Sequence, residues 1–306
     1  MIRTQGLTKD FGEVLAVDRL DIDVEEGEVF GFLGPNGAGK TTTIRMLAAL
    51  IAPTAGRAWV DEHEVGQEDQ QIRKNVGILT ESPGLYDRLS AERNLEFFAR
   101  LYEVEDIEGQ VERYLRMLGL WERRHEAAGT FSKGMRQKLA IARALLHEPK
   151  VLFLDEPTAG LDPAASRLVR DFIEGLRREG RTIFMCTHNL DEADRLCDRI
   201  AVFNVQLVAL DTPAALRRQL YGRSVVFHLL QGAPQYAEIL EDFPYVRSVQ
   251  SVDDKIVARV EDPESHNPEL IKALVDAGAE IQFVGEVRRS LEDVYLQLVN
   301  GDQGAD

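Results

Sequence analysis

A glycine-rich stretch that ends in a lysine and a threonine carries the clearest chemical signal in this chain. Residues 34–41 read GPNGAGKT, with the apolar run VFGFL before them and the helical pattern TTTIRMLAALIA overlapping their end. Glycines at this spacing allow successive backbone N–H groups to turn inward around phosphate oxygens, and a helix starting there adds its positive N-terminal end. The strand, loop and helix order therefore predicts a binding site for the phosphates of a nucleotide.

Individual side chains of this phosphate loop have distinct expected roles. Lys40 adds a positive charge at the β- and γ-phosphates, and Thr41 offers a hydroxyl to Mg²⁺. The sequence therefore predicts ATP and Mg²⁺ as cofactors. We expect the nucleotide to contact the whole loop and the threonine after it: Gly34, Pro35, Asn36, Gly37, Ala38, Gly39, Lys40, Thr41 and Thr42.

Two adjacent carboxylates follow a second apolar run. The run VLFL ends directly before Asp155 and Glu156. Asp155 is suited to hold Mg²⁺ through its water shell, and Glu156 to orient or deprotonate the attacking water, a role worth about 10²- to 10⁴-fold in rate. An Asp-Glu pair at a strand end is common by itself. Together with the phosphate loop, it predicts hydrolysis of the nucleotide.

The elements that must position these groups follow a recognisable order. Up to about residue 210, short apolar runs alternate with helical patterns, which predicts an α/β core with a mainly parallel sheet. Residues 82–147 carry amphipathic helical patterns only and predict a helical subdomain. Residues 223–300 follow the split β-α-β-β-α-β plan of a small ferredoxin-like α+β domain. We therefore expect an ATP-binding domain over 1–218, an accessory domain over 223–300, and a short tail over 301–306.

Composition narrows the class of protein. The 306 residues carry a net charge of −16, which opposes binding to nucleic acid, a partner that normally requires a basic face. No run approaches the roughly 18 apolar residues of a spanning helix, and the N-terminus does not read as a secretory signal. We expect a cytoplasmic location. Cys186 and Cys197, the two cysteines, are expected to be reduced.

Further stretches resemble the ATP-binding-cassette family, the nucleotide-binding subunits of membrane transporters, over about residues 2–215. FSKGMRQ resembles the family's signature loop, AGLD its D-loop, and THN the segment with its switch histidine. The resemblance implies that the signature loop binds the ATP of a second cassette, identical or paralogous, in a head-to-tail dimer. The residues that it implies for this contact are Ser132, Lys133, Gly134 and Met135.

The same resemblance assigns several single positions. It implies that Asp162 contacts the opposite ATP site, that His188 acts beside the γ-phosphate together with Lys40 and Glu156, and that Phe11 stacks on adenine. Glu81 stands where the family usually has a glutamine that reaches Mg²⁺, and a carboxylate there can also bind a hard cation. Lys133 likewise stands where a glycine is common.

The segments FSKGMRQKL, TESPGLYDRLSAERNL and RRSLEDVYLQLV resemble, more narrowly, ATPase subunits of type-2 export systems. This resemblance implies a separately encoded integral membrane permease as partner, attachment to the cytoplasmic face through it, and transport driven by ATP-dependent dimer closure. Two alternatives stay open. One is a soluble cassette ATPase acting on ribosomes or DNA, although a second cassette and a long coiled coil are missing. The other is a nucleotide-gated binding module with negligible hydrolysis, which the intact acidic pair and His188 oppose.

Overall fold

The computed structural model describes residues 1–80, 84–287 and 290–301. These residues divide into two units, the first over Met1–Thr212 and the second from Pro213 onward. The predicted metal ligand Glu81, the first residues of the predicted helical subdomain and the tail beyond 301 lie outside the described residues. The elements of the first unit are, in chain order, β1 (Ile2–Asp10), β2 (Leu15–Leu20), β3 (Asp23–Val24), β4 (Val29–Leu33), α1 (Lys40–Leu47), β5 (Ala55–Val60), β6 (His63–Glu64), α2 (Asp69–Asn75), β7 (Val76–Leu79), α3 (Ala91–Leu101), α4 (Ile107–Met117), two short 3-10 helices (Trp121–Arg123 and Ala128–Thr130), α5 (Lys133–Leu145), β8 (Val151–Asp155), α6 (Pro163–Arg178), β9 (Thr182–Thr187), α7 (Leu190–Leu196), β10 (Arg199–Asn204) and β11 (Gln206–Asp211).

The central sheet has the strand order β11-β10-β4-β9-β8-β7. Neighbours from β10 to β7 run parallel, and β11 pairs antiparallel with β10. Strands β4, β8 and β9 are buried along their whole length, as strands covered on both faces are, and this explains their continuous apolar runs. The sheet confirms the predicted α/β core. Because these strands are parallel, their carboxyl ends meet at the same edge.

A second, antiparallel sheet lies in the same unit and did not figure in the sequence prediction. Its order is β2-β1-β5-β6, with β3 also paired to β1. The first residues of β1 alternate between buried and exposed, the pattern of a sheet with one face on the core. The N–H of Val205, next to β10, donates to the carbonyl of Ala38 at 3.0 Å, and the N–H of Asp18 donates to the carbonyl of Val205 at 2.8 Å. These bonds tie β2 and the phosphate loop to one segment.

Three helices, α3, α4 and α5, follow β7 and precede β8, where the sequence predicts helices only. Each begins at a polar residue whose side chain accepts a backbone N–H of the first turn: Ser90, Asp106 and Ser132, respectively. This is the usual way in which the free N–H groups at a helix start are satisfied. The three helices pack against one another through buried residues that include Leu95, Leu115 and Leu139.

The second unit has the order β12 (Ser224–Leu229), α9 (Ala233–Glu241), β13 (Val246–Val252), β14 (Lys255–Val260), α10 (Pro263–Asp276), β15 (Ile281–Glu286) and α11 (Leu291–Gly301), preceded by α8 (Pro213–Tyr221). Its antiparallel sheet has the order β13-β14-β12-β15, which is the ferredoxin-like arrangement that the sequence predicts. A turn at Asp253 and Asp254 joins β13 to β14. The helix α10 begins at Pro263 and contains a second proline, Pro268.

Among the described residues, no helix has both the length and the apolar character that a membrane crossing requires.

Both cysteines are free, as the sequence predicts, and both are buried. Burial raises the pKa of the Cys186 and Cys197 thiols above the usual value, and nearby carboxylates raise it further. Because the thiolate is the reactive form, we expect neither cysteine of the native protein to react with an aromatic disulfide reagent within minutes. After unfolding in guanidinium, two thiols per chain should react. Rapid labelling of either cysteine in native buffer would contradict this expectation.

Candidate active site

The phosphate loop lies between β4 and α1, and two of its glycines are required by close backbone contacts. A Cβ added to Gly39, whose φ is +99°, would lie 2.0 Å from the carbonyl oxygen of Ala16. A Cβ added to Gly34 would lie 2.2 Å from the carbonyl oxygen of Phe203. Both distances are far below van der Waals contact, so the loop can pack against β2 and β10 in this way only without side chains at these positions.

Lys40 and Thr41 begin α1 and point toward the acidic pair. The Lys40 ammonium is buried, donates to the carbonyls of Gly34 and Pro35 at 2.7 and 3.1 Å, and lies 4.0 Å from Glu156 Oε1. The Thr41 hydroxyl donates to Asp155 Oδ2 at 2.7 Å. A hydroxyl and a carboxylate oxygen in direct contact form the hard oxygen donor pair that Mg²⁺ prefers, so these two residues fit the expected cation.

Glu156 and His188 come from neighbouring parallel strands, β8 and β9. Residue 155 pairs with residue 186 in the sheet register, and the Glu156 N–H donates to the Cys186 carbonyl at 2.9 Å. His188 Nδ1 lies 2.8 Å from Glu156 Oε2, while Glu156 Oε1 is buried and has no hydrogen-bond partner among the described residues. One oxygen of this carboxylate is thus held by the histidine, and the other faces the Lys40 ammonium at 4.0 Å. The backbone of Glu156 is in the left-handed region, with φ of +53°.

These groups share one cleft of about 540 Å³. Phe11 forms part of its wall and is 59% exposed, with Lys9 Nζ lying 5.0 Å from the centre of its ring. Of the predicted nucleotide contacts, Gly34, Pro35 and Ala38 belong to the loop but do not line the cleft. The sequence prediction did not include Val14, Ala16 and Ala159. The lining residues are Phe11, Val14, Ala16, Asn36, Gly37, Gly39, Lys40, Thr41, Thr42, Asp155, Glu156, Ala159 and His188.

The predicted signature residues are not among the residues that line this cleft. Ser132 is exposed and caps α5, its hydroxyl accepting the Met135 N–H at 3.3 Å. Lys133 is also exposed, and its ammonium lies against the backbone of Gly160, because a Cβ added there would be 2.1 Å from Lys133 Nζ. Gly134 lies next to Ala165 of α6. This surface is therefore free to face another molecule.

Asp162 of the predicted D-loop also caps a helix. Its Oδ1 accepts the N–H of Ala165 at 2.8 Å at the start of α6, and Pro163 occupies the first helical position. Both features favour a helix that begins there. Asp162 lies outside the cleft lining.

Comparison with known proteins identifies similar chains. The family described as ABC transporter matches residues 17–159, and the family described as ATP-binding protein DrrA1-3-like, C-terminal domain, matches residues 212–299. The bacitracin transport ATP-binding protein BcrA of Bacillus licheniformis is 34% identical over 98% of this chain and 98% of its own. The daunorubicin resistance ATP-binding protein DrrA3 of Streptomyces coeruleorubidus is 34% identical over 99% of this chain and 96% of its own.

A solved structure shows the same relationship for the first unit. The structure of cbiO1 from Clostridium perfringens, described as part of the ABC transporter complex cbiONQ, superimposes with a TM-score of 0.64 at 27% identity. The match covers 70% of this chain and 89% of cbiO1.

Proposed function

This chain belongs to the ATP-binding-cassette transporter family, and we propose on that premise that it is the subunit that hydrolyses Mg-ATP to drive an export system. The observation that carries the proposal is the single cleft at the carboxyl edge of the central sheet, where the phosphate loop meets the acidic pair and His188. The full-length similarity to transport ATP-binding proteins supports this function over a soluble ATPase or a binding module without hydrolysis.

Five polar side chains of the cleft have a proposed part in hydrolysis. Lys40 binds the β- and γ-phosphates, and Thr41 and Asp155 would hold Mg²⁺, which neutralises charge on the phosphate oxygens. Glu156 orients the attacking water through Oε1, the oxygen without a hydrogen-bond partner among the described residues. His188 holds Glu156 through Oε2 and lies 63% exposed, where it can reach the γ-phosphate.

We propose that the ATP site is completed by a second cassette. The exposed start of α5, with its cap Ser132 and the following residues Lys133, Gly134 and Met135, then faces the phosphates bound by the other subunit. The N-terminal end of a helix carries a partial positive charge, which favours this contact with an anion. Asp162, at the start of α6, borders the same interface. Either an identical subunit or a paralogue can take this place.

The permease is the other proposed partner, and it would hold the chain at the cytoplasmic face of the membrane. A cleft of about 430 Å³ lies beside α2, β7 and the end of α3. Leu50 and Leu101 line it and are 51% and 65% exposed, and Phe97, which is 44% exposed, lines a second cleft together with Leu101. We propose this surface as the place where a cytoplasmic helix of the permease docks.

Phe11 allows a test of the nucleotide's orientation. We expect Phe11→Ala to weaken ATP binding by about two- to tenfold, the range for loss of one aromatic stacking contact. Because Val14 and Ala16, the neighbouring wall residues, have apolar side chains that cannot read a base edge, GTP should be affected to a similar extent. Titration calorimetry with both nucleotides measures this, and Phe11→Tyr is the control that keeps the ring. Unchanged affinity in Phe11→Ala would place the base elsewhere.

The whole function is tested by isolating tagged Glu156→Gln protein from its native membranes in Mg-ATP and identifying the chains that copurify by mass spectrometry. We expect a multi-span membrane protein in stoichiometric amount. Lys40→Ala protein, prepared in parallel, is the control for nucleotide dependence. Recovery of soluble or ribosomal partners alone would contradict the export function and leave the ATPase assignment in place.

A further inference from the structure

Glu192 of α7 is a buried carboxylate that joins three segments around the catalytic cleft. It is 2% exposed. Its Oε2 accepts the hydroxyl of Thr158 at 2.5 Å, and its Oε1 accepts Arg170 Nη1 at 3.0 Å. Thr158 lies in the loop directly after Glu156, and Arg170 lies on α6. Neither partner belongs to α7, so the carboxylate links this helix to two other segments.

Together with the backbone between them, these contacts form a closed ring, and the Glu156–His188 contact is one link of it. From His188 the ring passes through the 2.8 Å contact to Glu156, two residues along the chain to Thr158, through the hydroxyl to Glu192, and four residues back to His188. The return segment is itself fixed, because Asn189 Oδ1 accepts the Glu192 N–H at 3.2 Å. Beyond the backbone bond from the Glu156 N–H to the Cys186 carbonyl, these two side-chain contacts therefore help to fix how the two loops lie relative to each other.

The two contacts differ in their exposure to water. His188 is 63% exposed, so its contact with Glu156 is screened by solvent. Thr158 and Glu192 are buried, and a charged hydrogen bond is stronger in such surroundings. Arg170 supplies the positive partner without which a buried carboxylate is costly. The buried hydrogen bond between Thr158 and Glu192 is therefore the stronger of the two contacts.

We propose that Glu192 is a positioning residue for hydrolysis: through Thr158 it holds the Glu156 loop at the correct distance from His188, with Arg170 as its counterion. The inference rests on the proposed ATPase activity. Because Asp162 caps the start of α6, the same carboxylate also connects α7 to the helix that borders the proposed subunit interface. A small displacement of Glu156 misplaces the attacking water but leaves the phosphate loop intact.

The test uses the full-length protein and the hydroxyl of Thr158, the smallest group that can be removed. Thr158→Val deletes the hydrogen bond and keeps the shape, whereas Thr158→Ser keeps the hydroxyl. We expect Thr158→Val to lower kcat for ATP hydrolysis by about ten- to a hundredfold, as misplacement of a reacting group does, with KM for ATP close to that of the unchanged protein. Thr158→Ser should retain kcat.

A double-variant cycle with Glu192→Gln tests the pairing. Since both changes disturb one contact, the double variant should be little slower than the slower single variant. Asp191→Asn, on an exposed residue of the same helix, is the matched control, and thermal unfolding verifies that each variant is folded at the assay temperature. If Glu192→Gln does not fold, the Thr158 pair still decides the question.

Three results would overturn the inference: Thr158→Val at the unchanged rate, equal losses in Thr158→Val and Thr158→Ser, or losses that multiply in the double variant. Absence of hydrolysis in the unchanged protein would instead contradict the proposed function itself.

Discussion

Glu156→Gln protein is expected to bind ATP normally and to hydrolyse it about 10²- to 10⁴-fold more slowly than the unchanged protein. The carboxylate supplies an acceptor for the attacking water at Oε1, and an amide is a much weaker base. Its phosphate-binding groups, Lys40 and the loop N–H groups, are untouched. With hydrolysis blocked, the proposed dimer should persist, so size exclusion in Mg-ATP should show a dimer that the unchanged protein forms only transiently.

Steady-state phosphate release measures the first part of this prediction. Glu179→Gln, which changes an exposed carboxylate at the end of α6, is the matched control and should hydrolyse ATP at the normal rate. A Glu156→Gln protein that retains normal turnover would remove Glu156 from the chemistry. One that binds ATP but stays monomeric would contradict the closure of two cassettes around the nucleotide.

Lys40→Ala protein is expected to bind Mg-ATP about ten- to a hundredfold more weakly. The ammonium is the positive side chain at the phosphate end of the cleft, and hydrogen bonds to charged groups are typically worth about 1.5–3 kcal/mol. Hydrolysis should fall with binding. Because Lys40 also donates to the carbonyls of Gly34 and Pro35, some disorder of the loop adds to the loss.

Titration calorimetry with Mg-ATP gives the affinity directly. Thermal unfolding shows whether the variant is folded, so that weaker binding is not confused with loss of folding. Lys272→Ala, an exposed lysine of α10, controls for the change in net charge. Full affinity in folded Lys40→Ala protein would show that the loop N–H groups alone retain the phosphates and that Lys40 has another task.

The central sheet and the phosphate loop were predictable because their signals are local. A strand buried on both faces reads as a continuous apolar run, and a loop that wraps phosphate requires glycines at defined spacing. The parallel order then brings the ends of β4, β8 and β9 to one edge. In the structure this order brings Lys40, Glu156 and His188 into one cleft, whereas the sequence assigned His188 to the site only through the family resemblance.

Other parts of the molecule depend on contacts that no local pattern reveals. Glu192 sits between Asp191 and Ala193 in an acidic stretch that reads as a solvated helix face, and only the packing of α6 and the Thr158 loop buries it. Val14 and Ala16 reach the cleft because β2 packs beside the loop. At α10 two prolines offer a helix start, and only the structure shows that the helix begins at the first.

Glu156, the residue proposed to orient the attacking water, has an unfavourable backbone conformation. Residues other than glycine pay roughly 1–2 kcal/mol for the left-handed region, and the φ of +53° lies within it. The N–H bond to Cys186 and the turns that follow hold the residue there. If thermodynamic stability alone shaped this position, glycine would suit it better, whereas catalysis requires the acid. If Glu156 has the proposed role, the protein gives up part of its resistance to unfolding at a residue on which its turnover depends.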